Sequence, residues 1–198
     1  MHTIKNNTNN EIIIKNSRFI CYLYRIKDVS DVNTILKNIK EEQKDATHYC
    51  YAYILDNIKK SSDDGEPGGT AGIPILKVLE NNNLSNILAI VIRYFGGIKL
   101  GAGGLVRAYT KSVTNTLSED NIVSLIKGYN IDIEFEYNQI KEIDYLLKDI
   151  TINNKTFDNT VKYNIDIPTT FLETIKLNNL KYKILKDINI ESNYLSNK

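Results

Sequence analysis

The stretch SSDDGEPGGTAGIP, residues 61–74, crowds three carboxylates, Asp63, Asp64 and Glu66, into a glycine- and proline-rich turn. Oxygen ligands clustered in this way suit a hard divalent cation such as Mg²⁺, or the orientation of a water for hydrolysis. Ordinary turn chemistry accounts for the same residues. Glycine supplies positive φ, acids suit the start of a following helix, and Thr70 is available as a cap. His48, the one histidine outside the N-terminal tail, is the remaining candidate base, because imidazole titrates near neutrality. With no Ser, Cys or Asp partner evident it reads equally as structural. No CxxC pair or other metal-ligand spacing accompanies these groups, and we assign no metal and no cofactor.

A second stretch, VIRYFGGIKLGAGGLVRAYTKS (residues 91–112), runs from a strand pattern through a glycine-rich loop into a helix pattern. Such a junction presents backbone N–H groups at a positive helix end, which suits a phosphate. Neither familiar nucleotide loop fits. The GxxxxG from Gly96 to Gly101 is followed by Ala102 and Gly103 where a Walker loop needs Lys-Ser/Thr, and Val106 stands where a dinucleotide fingerprint needs a small residue. The sign of the charge is more informative. Between Glu80 and Glu119 there is no Asp or Glu, while Arg93, Lys99, Arg107 and Lys111 are present. Arg107 and Lys111 are one helical turn apart and share a face. Cations near a helix N-terminus oppose its dipole, an unfavourable arrangement that an anionic partner reverses. The expected phosphate or nucleic-acid site is therefore Arg93, Gly96, Gly97, Lys99, Gly101, Gly103, Gly104, Arg107 and Lys111. The competing reading is that Arg93 pairs with an acid of the first loop and the glycines allow close packing.

Tyrosines alternate at Tyr22 and Tyr24, and again at Tyr49, Tyr51 and Tyr53. A strand over 48–55 would carry Cys50, Ala52 and Ile54 on one face and these tyrosines on the other. If that second face is open, Tyr51 and Tyr53 could stack unpaired bases; otherwise they are ordinary part-buried tyrosines with wet hydroxyls.

The elements that must position these groups follow from periodicity. Strands are expected at 11–14 and 19–25, joined by a Lys-Asn-Ser turn, then a helix over 29–43 capped by Ser30 or Asp28. A strand at 48–55, a helix from Pro74 to about 82, a central strand at 87–92 and a helix from 103 to about 118 complete a first domain, residues 1–126. The second, residues 127–198, reads strand 129–137, helix 139–150, strands 152–157 and 160–167, helix 168–178 and strand 182–190, the βαββαβ order of ferredoxin-like domains. The class is α+β. Nine of the ten glycines lie in 65–104 and all four arginines precede Gly128, so the halves are expected to join between about 124 and 129.

At 198 residues the chain accommodates two domains of about 100 residues each. Its formal charge of +1 excludes recruitment of nucleic acid by bulk electrostatics and requires a local patch. Cys21 and Cys50 sit in apolar, strand-like runs and read as buried thiols. No secretory h-region and no run of about 18 apolar residues is present. A cytosolic chain without membrane contact is expected, with a monomer favoured.

Five segments together resemble the YigZ/IMPACT family: IKNSRFI (14–20), DATHYCYAYIL (45–55), SDDGEP with GTAG (62–67 and 69–72), PILKVLE (74–80) and RYFGGIKLGAGGLVRAY (93–109). The last is long and the most specific. The pattern departs from the family's usual one at Tyr49, Gly68 and Ile73, where Asn, Ser and Lys are usual, whereas the basic glycine loop is intact. The resemblance implies a first domain folded like domain four of elongation factor G and a ferredoxin-like second domain. It also implies a nucleic-acid binder that regulates translation, with RNA or the ribosome as partner. A metal-dependent hydrolase or other phosphate-handling enzyme using the acidic loop, and a pure protein-interaction module, are the readings set against it.

Overall fold

The computed structural model describes residues Met1–Ser192. A short strand β1 (His2–Ile4) is tied to the Asn83–Ser85 turn by hydrogen bonds of 2.9 and 2.8 Å. β2 (Thr8–Ile14) and β3 (Ser17–Arg25) form the opening hairpin. Its two turn residues, Lys15 and Asn16, both have positive φ, 44° and 64°, which matches the right-handed twist of the strands they join. Helix α1 (Val29–Glu42) starts on Asp28, whose carboxylate accepts from the Ser30 and Asp31 amides while Asp31 reaches back to the Asp28 amide. Of the two caps expected, Asp28 is the one used, since Ser30 already lies inside the helix.

β4 (His48–Leu55), β5 (Ile58–Ser62), α2 (Gly72–Asn81), β6 (Ile87–Tyr94) and α3 (Ala102–Thr116) complete the first unit, Met1–Val123. The sheet order is β2-β3-β6-β4-β5, antiparallel throughout. β6 is central, as its continuous apolar run requires. One sheet face packs Phe19, Cys21, Cys50, Ala52 and Val91 against Ile75 and Leu79 of α2 and Leu105, Tyr109 and Val113 of α3. The other packs Leu88, Ile90 and Ile92 against Val32 and Ile39 of α1.

That second face is the tyrosine face. Tyr53 is only 4% exposed there, and Tyr22, Tyr24, Tyr49 and Tyr51 are packed against the same cluster. Base stacking on Tyr51 and Tyr53 is thereby overturned, because the amphipathic helix expected over 29–43 lays its apolar stripe across them.

The second unit begins at Ser124. β7 (Ile122–Phe135) is followed by α4 (Ile140–Leu146), β8 (Thr151–Phe157), β9 (Val161–Pro168), α5 (Leu172–Leu177) and β10 (Lys181–Glu191). The strands run β10-β7-β9-β8 with antiparallel pairing. Ile131, Ile133, Tyr163 and Ile165 point from the sheet to Ile143 and Leu147 after β7 and to Ile175 of α5. The opposite sheet face carries an amide ladder. Asn130 donates to Asn164 and Asp166 at 2.9 and 2.6 Å, Asn164 to Asp132 at 2.7 Å, and Asn153 to Asp166 at 2.9 Å. The segment 124–129, expected as the joint between halves, is strand: Leu125 to Gly128 pair with Glu191 to Ile188 of β10. Among the described residues no helix is long and apolar enough to cross a membrane.

Candidate nucleic-acid interface

Between β6 and α3 the chain makes the glycine-rich loop, residues 95–101. Its base is fixed to neighbouring strands. The Phe95 amide donates to Thr47 Oγ1 at 3.1 Å and the Gly96 amide to Ser17 Oγ at 3.2 Å. Gly96 lies so close to the β2–β3 turn that a Cβ there would sit 2.1 Å from the Asn16 carbonyl carbon. Beyond it Gly97, Ile98 and Lys99 are exposed. Gly101, at φ 70°, caps α3 without any side-chain acceptor, and no acid occupies the first helical turn. Orphan amides at such an end are left to solvent or to a ligand. Lys99, Arg107 and Lys111 are exposed as expected, and none meets an acidic side chain among the described residues.

Arg93 does not join them. It is 4% exposed, with Nη1 donating to Glu66 Oε1 at 2.7 Å and Nη2 lying 3.5 Å from Ser17 Oγ. The guanidinium lies over the rings of Phe19 and Phe95, 5.5 and 5.4 Å from their centroids. Strand alternation explains the inward turn: Ile87, Ala89, Val91 and Arg93 share the β6 face packed under α2 and α3. A desolvated guanidinium needs a carboxylate, and the acidic loop provides one. Glu66 Oε1 also accepts from the Tyr109 hydroxyl at 2.8 Å, while His48 Nε2 lies 3.9 Å from Glu66 Oε2. His48 Nδ1 is 2.9 Å from the Asp64 carbonyl oxygen. Burial, then the neighbouring Cys50 and Glu66, raise the Tyr109 pKa, so its hydroxyl stays a donor. Burial likewise pushes the Cys50 thiol up to about 12 despite its bond to Tyr109, leaving it unreactive as a nucleophile. The pairing of Arg93 with a first-loop acid, the competing reading of the sequence, is what the structure holds.

The other two acids of that loop serve its backbone. Asp63 accepts from the Gly69, Ala71 and Gly72 amides at 2.8–2.9 Å, folding the loop back onto the start of α2. Asp64 accepts from the Tyr49 amide at 2.7 Å and lies 3.8 Å from Lys40 Nζ. The three carboxylates thus face separate partners, and among the described residues no group of three or more His, Cys, Asp or Glu is placed to hold a metal ion.

Partial burial works against ionisation of Asp63, but the three amides outweigh it and hold its pKa below the ordinary 3.8. A carboxylate with a lowered folded pKa contributes stability that is full above its unfolded pKa and disappears as pH falls through the folded one. Asp63→Asn should therefore flatten the loss of stability on acidification below about pH 4. Urea midpoints of parent and variant measured from neutral to acid pH check this; parallel curves would refute it.

Sequence reasoning missed Phe95 as a surface feature. It is 47% exposed at the mouth of the loop. Its signal was its place one residue beyond the end of β6, where strand alternation no longer dictates burial.

Residues 15–117 match the Impact N-terminal domain, just over half of the chain. The chain belongs to the IMPACT family. It is 42% identical to the IMPACT family member YvyE of Bacillus subtilis over 158 residues, which cover 75% of this chain and 73% of that one. Against the IMPACT family member YigZ of Escherichia coli the identity is 37%, over 68% of each chain. A crystal structure of a protein described only as hypothetical superposes with a TM-score of 0.68 at 29% identity, covering 93% of this chain and 97% of the other. The IMPACT segment contains the acidic loop, the Glu66–Arg93 pair, the glycine-rich loop and all of α3.

Proposed function

We propose that this IMPACT-family protein binds RNA, free or in the ribosome, and thereby regulates translation, using the glycine-rich loop and the first turns of α3. The observation that carries the reading is the set of exposed cations, Lys99, Arg107 and Lys111, in a segment with no acid, next to a helix start that has no side-chain cap. Arg107 and Lys111 stand beyond the first turn of α3, outside the reach of its dipole, so their support is direct attraction to phosphates, which the uncapped amides of the helix start also suit. The hydrolase reading draws no comparable support, since Asp63, Asp64 and Glu66 are each engaged by amides or cations. We read the second unit as ferredoxin-like from its β10-β7-β9-β8 order, and the first as akin to domain four of elongation factor G from the family resemblance. On the second unit's amide-bearing sheet face, Asp132 and Asp166 disfavour phosphate, so RNA is assigned to the first unit.

Arg107→Glu with Lys111→Glu tests the assignment. The double variant should keep its stability, because both positions are exposed and lie beyond the first helical turn, where the dipole acts. Its affinity for single-stranded RNA should fall, with the slope of log affinity against log salt shallower by about 0.7 for each phosphate no longer neutralised. Ribosome co-sedimentation and RNA titration across a salt series provide the readout. Unchanged affinity and slope would remove this helix from the interface.

A further inference from the structure

Phe95 is a large apolar side chain that the loop leaves 47% in water. It is nevertheless fixed. Its amide is bonded to Thr47 Oγ1 and the next amide to Ser17 Oγ, at 3.1 and 3.2 Å. The Arg93 guanidinium lies over the ring, 5.4 Å from its centroid, and is itself held by Glu66 at 2.7 Å. A ring backed by a buried cation and anchored at its backbone is an ordered platform, and ordering a binding group beforehand lowers the entropic cost of using it. The platform belongs to the same acid-free segment as Lys99, Arg107 and Lys111. Cations beside an exposed aromatic face are the combination by which single strands are held: phosphates by charge, bases by stacking. Duplex bases are stacked on one another and present no free face.

We infer that Phe95 is the stacking platform for an unpaired RNA base whose neighbouring phosphates lie against Lys99, Arg107 and Lys111. The inference rests on the RNA-binding reading and narrows it to single-stranded or looped RNA, recognised without a fixed sequence. An acidic protein could meet the same cations, but it would need only apolar bulk at position 95, not a planar face.

Phe95→Leu and Phe95→Trp in the 198-residue chain separate these cases. With a labelled single-stranded RNA, Phe95→Leu should weaken binding about tenfold, the scale of one missing base–aromatic stack. Phe95→Trp should equal or exceed the parent. The salt slope should be unchanged in both, since every phosphate keeps its cation, and binding to a duplex of the same sequence should change less than about twofold. If Phe95→Leu binds the single strand as the parent does while the Arg107/Lys111 reversal weakens it, stacking is overturned and the RNA reading stands. Equal losses for duplex and single strand also overturn it. A parent chain that does not bind RNA overturns both. Photo-crosslinking of the parent with a 4-thiouridine strand gives a result independent of any variant: the crosslink should fall on the peptide containing Phe95, and crosslinks confined elsewhere overturn the inference.

Discussion

Glu66→Ala should lower the unfolding free energy by about 3–5 kcal/mol, the cost of leaving a buried charge without its partner. Arg93 cannot turn out to solvent. It sits under α3 at 4% exposure, over two phenyl rings, and already has one nitrogen, Nε, without a hydrogen-bond partner. Removing Glu66 also strands the Tyr109 hydroxyl, which donates to the same oxygen at 2.8 Å. Glu66→Gln retains an acceptor but not the charge and should fall between parent and alanine variant. Adding Arg93→Met to Glu66→Ala should recover most of the loss, because apolar bulk then replaces an orphaned ion. Urea unfolding followed by circular dichroism, with hydrogen exchange to assign the change to Met1–Val123, measures the series. A Glu66→Ala chain within about 1 kcal/mol of the parent would show that the pair is neither dry nor structural.

Gly96→Ala should be nearly as damaging, at about 3 kcal/mol or more, at the upper end of what overpacking costs. The added methyl would meet the Asn16 carbonyl carbon at 2.1 Å, its oxygen at 2.2 Å and the Ser17 nitrogen at 2.4 Å. All three are backbone atoms of a tight hairpin turn, so no rotamer change relieves the clash. The loop base must separate from the turn, and the bond from the Gly96 amide to Ser17 goes with it. Gly97→Ala is the control. No atom lies within 4 Å of the place its methyl would take, and only its φ of 81° is unfavourable, worth about 1–2 kcal/mol. Thermal unfolding of the two variants should rank Gly96→Ala well below Gly97→Ala; the reverse order would mean that backbone conformation, not close approach, selects glycine at this loop.

The contrast between these glycines shows what could be read from sequence. Periodicity located α1, α3 and the strands 48–55 and 87–92 because each buries a stripe of matching period. β5 escaped, since IKKSS has neither alternation nor branched residues beyond Ile58 and pairs only as an outer strand. β7 begins seven residues before the expected 129, where Ile122, Leu125 and Ile126 resemble the tail of a loop unless their pairing is known. The exposure of Arg107 and Lys111 was legible, because α3 turns Leu105, Ala108, Tyr109, Ser112 and Val113 inward and leaves 107 and 111 on the other face, and that of Lys99 because it lies in the glycine-rich loop before the helix. Arg93 was not. It closes a run of buried β6 residues and so shares their fate, but only the three-dimensional approach of Glu66 supplies the carboxylate that makes its burial tolerable. Tyr51 and Tyr53 failed as a stacking surface for the complementary reason: alternation assigns a residue to a face, and says nothing of whether a helix covers that face.

The outer strands have a bearing on how the protein behaves when concentrated. A formal charge of +1 provides almost no mutual repulsion between molecules, and both sheets are open, so their rims offer unpaired backbone to any neighbour. The rims are defended locally instead. β5 is five residues long and carries Lys59 and Lys60. β8 breaks register between Ile152 and Asn154, and β10 does so between Ile184 and Lys186. β2 is protected by Glu11, joined to Arg18 at 2.9 Å. Colloidal stability here depends on a few charges and irregularities at four strand margins, and neutralising Lys59 and Lys60 would invite edge-to-edge association while leaving the fold of each molecule intact.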